Sequence, residues 1–321
     1  MRFWHRLRAF AGLLLVAALV PTGGKAALAE DPIFIDWPSL LPSLTDAYNP
    51  SSENDCVAGR PHCLAATIRE MQRRFEPLGR SCDHNAVFSL AYLRTTQTYG
   101  WARDQAGYFN DTPWVNHEDA VFAKYYLNAY DGWAAGHRDQ VPRAWLTAFD
   151  ASAARRVTGS GSLLLGMNAH VNRDLPFVLA AIGITTPDGQ TRKPDHDKVD
   201  QFLNTVVAPL LAELAARFDP TTNAIVTPYG VGYTGLFQAL QAWREAGWRN
   251  AELLTAAPTP QARAVVAEQI EAMAAAEADA IVLGNSYLPP VTTSAPRDAF
   301  CAAHNADPPP MSYAFGTAST Y

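Results

Sequence analysis

Long apolar runs are missing from most of this 321-residue chain. The clearest, residues 9–20 (AFAGLLLVAALV), falls short of the roughly 20 residues that a bilayer-spanning helix needs. Lys/Arg-rich runs are absent as well, which argues against a nucleic-acid backbone as partner. No Gly-x-Ser-x-Gly elbow, phosphate loop, dinucleotide Gly-x-Gly-x-x-Gly or His-Glu-x-x-His occurs, so serine hydrolase, nucleotide-binding and zincin chemistry have no motif to stand on. No Gly/Ser linker or internal repeat divides the middle of the chain, which favours one large domain. Strand signals are scarce; only residues 222–227 (TNAIVT) alternate.

The N-terminus has the order of a secretory signal peptide. Arg2, His5, Arg6 and Arg8 precede the apolar run, and Pro21, Gly23, Gly24 and Ala27-Leu28-Ala29 follow it. Cleavage after Ala29 removes Arg2, Arg6, Arg8 and Lys25 and no acid, taking the formal net charge from −6 to −10. The expectation is a secreted, acidic protein with no membrane span in its mature part. The four cysteines suit an oxidising compartment. Three pairings are open, and the favoured one is Cys56–Cys63 with Cys82–Cys301, a short Gly/Pro loop and a tie from the tail to the body. Cys-x6-Cys without a neighbouring Cys-x-x-Cys is a poor match to zinc spacing.

After the signal peptide (1–29) and a Pro-containing extended leader (30–61), apolar residues recur at three- and four-residue spacing. About eight helices are expected between residues 62 and 287, near 62–76, 83–99, 116–135, 139–157, 160–182, 195–218, 230–256 and 259–284. Asp83 and Asn116 are candidate N-caps, Trp145 and Phe149 should face inward, and Gly284 should close the last helix. The tail, 288–321, reads as Pro-rich loop. The fold class is all-α: one helical-bundle-like domain with extended tails.

Chemistry is best sought at Asn168-Ala169-His170-Val171-Asn172-Arg173-Asp174-Leu175-Pro176. His170 and Asp174 stand one turn apart on one helix face, amid Leu163, Leu164, Leu165, Val171 and Leu175. Their burial demands a partner, which can be a metal, each other, or a third polar group. As metal ligands they need company from another helix. His117 with Asp119 ranks first, then His84, then His196. Each of these has a plainer reading: first-turn residues favour the helix dipole, and Asp195-His196-Asp197 beside Lys193 and Lys198 reads as a solvated face. The candidate metal set is therefore His170, Asp174, His117 and Asp119, and the candidate cofactor is zinc or another divalent cation.

The stretch Gly166-Met167-Asn168-Ala169-His170-Val171-Asn172-Arg173-Asp174-Leu175-Pro176 resembles the core motif of an uncharacterised, largely actinobacterial family of unknown function, over roughly residues 62–220. A weaker likeness links His170, Asp174 and Pro176 to the His-x-x-x-Asp segment of helical zinc-dependent phospholipase C and S1/P1-type nucleases. That likeness implies metal-activated water and a phosphodiester substrate. Here, however, Phe177 and Val178 follow Pro176, and Glu30 would begin the mature chain, so the three-metal pattern is incomplete. Two functional readings follow. One is a secreted metal-dependent (phospho)ester hydrolase. The other is a non-catalytic exported binding or envelope-associated domain in which His170 and Asp174 form a structural network.

Overall fold

The computed structural model describes residues 47–225 and 231–317; the expected signal peptide and most of the expected leader lie outside them. The described residues are helical, with isolated bridges in place of strands, and the expected all-α class is the observed one. None of the described helices is long and apolar enough to cross a membrane.

Helix α1 (Pro61–Arg80) buries Leu64, Met71 and Phe75, the spacing that predicted it, against α2 (Ala86–Arg103). It runs on through Pro77, beyond the end expected near residue 76, because the buried Leu78 anchors the last turn and Ser81 Oγ donates to Pro77 O at 2.9 Å. Asp83 does not cap α2; its Oδ1 accepts from Asn85 N, one step before the helix. α2 is buried nearly all round, as a central helix should be.

Helix α3 (Thr112–Ala134) begins earlier than Asn116. Asp111 caps it, accepting from Trp114 N, and Pro113 supplies a pre-set φ in the first turn. Asn116 is instead a buried strut between Tyr99 Oη (2.6 Å) and Gly59 O (2.8 Å). A 3-10 turn (Arg138–Gln140) leads to α4 (Arg143–Ala153), where Trp145 and Phe149 are buried as expected.

The long apolar helix expected over 160–182 is three pieces. α5 (Gly159–Met167) is capped by Thr158, whose Oγ1 accepts from Gly161 N. A wide π turn (Asn168–Asp174) follows, in which Leu175 N donates five residues back to His170 O. α6 (Leu175–Ile182) then ends at Gly183, held at φ 89°. Pro176 explains the break: it has no N–H to donate to the carbonyl four residues back, and the widened turn takes up the mismatch.

α7 (Lys193–Arg217) passes through Pro209 without ending, and a 3-10 turn (Pro220–Ile225) stands where the first part of 222–227 suggested a strand. α8 (Val231–Ala256) and α9 (Pro260–Asn285) follow. α9 runs to Asn285, past the expected Gly284 cap, and Ser286 is already extended. The tail is not all loop: α10 (Ala295–His304) buries Arg297 and Cys301. The α5–π–α6 rod is central, with α2, α3, α4, α8 and α9 packed on it.

Both favoured disulfides are present, Cys56–Cys63 and Cys82–Cys301. The second spans 219 residues and ties α10 to the start of α2. Replacing both Cys82 and Cys301 by serine is expected to cost about 2–4 kcal/mol of stability, the usual yield of a native bridge. Equilibrium denaturation of the double variant checks this, and an unchanged midpoint would contradict it.

Candidate functional site

The π turn delivers its polar side chains in two directions. Asn168 and Asn172 face α9: Asn168 Nδ2 donates to Ala274 O (2.8 Å), and Asn172 Nδ2 donates to Asn168 Oδ1 and Glu277 Oε2. Arg173 bonds Glu271 of α9 through Nε (2.6 Å) and Asp174 Oδ1 through Nη1 (2.9 Å). Asp174 is fully buried, and its other oxygen accepts from Trp145 Nε1 (2.8 Å) and meets His170 Nδ1 at 3.2 Å. With two donors already on this carboxylate, the third contact is an Nδ1–H donated by His170. His170 therefore presents Nε2 as a lone pair. Burial lowers its pKa below the ordinary value, outweighing the opposite pull of Asp174, so the ring is neutral at pH 7.

Five aromatic rings fix the imidazole. Phe122 stacks flat on it (3.5 Å between centroids, 6° between planes), Tyr92 meets it edge-on at 4.3 Å, and Phe88, Tyr126 and Trp145 stand behind. Gly166 lets Phe88 come this close; a Cβ there would lie 2.2 Å from the Phe88 ring.

His170 opens into a cavity of about 140 Å³ enclosed by α2, α3, α5, α7 and α8. Its walls are mostly hydrocarbon, including Leu163, Phe202, Leu203, Phe237 and Leu240. Four polar atoms of its lining are sealed from solvent without a hydrogen-bond partner among the described residues: His170 Nε2, Asp119 Oδ2, Glu118 Oε2 and Tyr92 Oη. Each such atom costs about 1–3 kcal/mol in a folded protein. Four on one cavity are not a packing accident of a single residue.

Asp119 feels this most. Burial, and then the neighbouring Glu118, push its carboxyl up to about 8 against the opposing pull of Arg103. The folded state thus keeps a proton that the unfolded chain, near 3.9, gives up. Stability is full below about pH 4 and is lost as pH rises to about 8. Asp119→Asn should therefore gain stability over the natural chain between pH 5 and pH 9, by roughly a few kcal/mol. Parallel melting curves of the two proteins across that range would refute this.

The sequence-derived candidates separate. His170 and Asp119 share the cavity, whereas Asp174 lies behind His170 as its orienting partner. His117 is not in the lining: its Nδ1 lies 2.7 Å from Cys56 O and its ring faces Tyr48. Because α3 starts at Thr112, residues 117–119 sit past the first turn, and the helix-dipole reading fails for them. His84 is bound between Asp298 and Arg297, and burial drops its pKa to about 4. The expected solvated face at 195–197 is partly wrong. Asp195 and His196 are buried, the first accepting from Asn110 N and Asp111 N, the second packed against Arg244 and Trp248. Among the described residues no three His, Cys, Asp or Glu side chains converge so as to hold a metal ion. Sequence reasoning missed Tyr92 and read Glu118 only as a first-turn residue beside His117 and Asp119; each sits in an ordinary helical pattern, and side-chain contacts between α2 and α3 bring them to His170.

A model of a family of unknown function (DUF5995) matches residues 64–284. Neither the curated proteins nor the solved structures contain a match to the chain.

Proposed function

The chain belongs to this family of unknown function, and on that premise we propose that it is an exported binding protein whose central cavity takes a small, largely apolar molecule by one polar end. One observation carries the reading: four side chains that line an otherwise hydrocarbon space each hold a buried polar atom without a partner among the described residues. Ligand sites have this composition, an apolar wall with a few convergent polar groups. A cavity near 150 Å³ is large enough for a benzene-sized molecule. Two disulfides and the signal-like N-terminus support an extracytoplasmic setting.

Thermal unfolding tests this. Toluene at about ten times its dissociation constant adds about 1.4 kcal/mol, and should raise the melting midpoint by roughly 3 °C for a domain of this size. Val207→Phe, which fills the cavity from α7, should abolish the rise. An equal rise in that variant, or none in the natural protein, would defeat the reading.

A metal-assisted hydrolase is the second reading, favoured by the unpartnered lone pair of His170 Nε2 on a side chain that lines the cavity. It requires stoichiometric zinc in untagged protein, lost in His170→Ala. Metal-free, folded protein would set it aside.

A further inference from the structure

We propose that the polar end of the cavity selects an amine: a cationic nitrogen carried on an apolar body about the size of one aromatic ring. This inference rests on the binding reading above and names its ligand class.

The argument is a donor–acceptor balance. Of the four unpartnered atoms, Asp119 Oδ2 and Glu118 Oε2 belong to carboxyl groups and His170 Nε2 is a lone pair, since Nδ1–H is spent on Asp174. Tyr92 Oη can give or take a hydrogen. The other hydroxyls of the lining, and two of the three guanidinium nitrogens of Arg244, have their donors committed. Tyr99 Oη donates to Asn116 Oδ1 (2.6 Å), and Thr95 Oγ1 donates to Ala91 O (2.9 Å). Arg244 spends Nε on Asp200 Oδ1 and Nη2 on His196 O, both at 2.7 Å. An incoming group must bring hydrogens to this end. An ammonium brings three and lets the neutral Asp119 carboxyl give up its proton to form an ion pair; a carboxylate brings none and would face Glu118.

Charge points the same way. Arg244 is paired with Asp200, and Arg103, which acts on Asp119 from the end of α2, is paired with Asp104 at 2.8 Å. Glu118 has only a 3.8 Å approach to His196, a ring that burial and Arg244 keep neutral. The cavity end is therefore acidic. The rings of Tyr92 and Phe122, which enclose His170, also line the cavity, and aromatic faces attract a desolvated cation. A metal ion would use the same acceptors, but they do not converge on a point among the described residues; their spread suits a larger donor with several N–H bonds.

Four probes of nearly one shape test this in titration calorimetry at pH 7: benzylamine, benzyl alcohol, toluene and benzoate. Benzylamine should bind at least about tenfold more tightly than benzyl alcohol, as charge-assisted hydrogen bonds allow, and benzoate should bind most weakly. In Glu118→Gln at pH 7, and in Asp119→Asn at pH 8, where Asp119 of the natural chain is ionising, the preference should shrink to less than about threefold while toluene binding persists. Alcohol or benzoate binding as tightly as the amine overturns the amine inference and leaves the binding reading standing, as does a preference unchanged in both variants. Absence of binding by all four probes overturns both.

Discussion

Asp174→Ala is expected to destabilise the fold by about 3–5 kcal/mol, because it breaks a buried charge network at its centre. Three donors would lose their acceptor at once: Trp145 Nε1, Arg173 Nη1 and His170 Nδ1. Arg173 keeps Glu271, which limits the loss. Trp145 and the imidazole have no second acceptor on the same atoms. The variant also frees the His170 ring to exchange tautomers, so ligand affinity should fall even where the protein still folds. Asp174→Asn retains an acceptor oxygen and should lose less. Urea unfolding of the three proteins is the check. A loss under about 1 kcal/mol in Asp174→Ala would mean that the pair is a surface-grade contact, worth what exposed ion pairs are worth.

The second large effect lies at the far end of α7. Glu213 is fully buried and binds Arg94 through both oxygens (2.9 and 2.8 Å), Arg217 Nη1 (2.6 Å) and Tyr313 Oη (2.6 Å). Arg217 also reaches Asn305 O, so this one carboxylate joins α2, α7 and the C-terminal tail. Glu213→Ala should cost about 3–5 kcal/mol by removing the one buried carboxylate that both Arg94 and Arg217 bind. The acid limb of stability should change too. Burial alone would raise the Glu213 pKa, but Arg94, Tyr313 and Arg217 hold it below the ordinary value. The natural chain therefore has this stabilisation above about pH 4.3 and loses it as pH falls further. In Glu213→Gln that acid-side loss should be shallower. Identical acid profiles for the two proteins would show that the cluster contributes nothing through charge.

Much of the scaffold was readable from spacing. Leu64, Met71 and Phe75 mark the buried face of α1, and Trp145 and Phe149 that of α4. The misreadings have local causes. Asn116 is a good N-cap by type, yet Asp111 and Pro113 upstream start α3 sooner and free Asn116 to be a strut. Pro77 and Gly284 look like terminators, but a helix end is decided by what its last turn buries as well as by its punctuation. The π turn leaves only Pro176 as its trace, since i→i+4 spacing of His170 and Asp174 reads the same with or without it.

The site divides in the same way. That His170 and Asp174 are buried was legible from apolar neighbours within one segment; that they bond each other was one of three options the sequence left open. That Asp119 joins them was legible only as one of several acidic clusters. Tyr92 and Glu118 could not be assigned, because their role arises where side chains of α2 and α3 meet and not from any spacing along the chain. His117 was a natural companion to Asp119 by proximity in sequence. One residue forward or back on α3 selects a different face, however, and His117 turns to the Cys56 loop.

The central claim is that the unpartnered atoms around the cavity await a ligand's polar group. A crystal structure of the protein grown with benzylamine tests it most directly. The ring should lie among Phe202, Phe237 and Leu240, with the nitrogen in hydrogen-bonding reach of His170 Nε2 and of Asp119 or Glu118. A benzylamine-free cavity in which those same atoms have closed onto one another would contradict the claim.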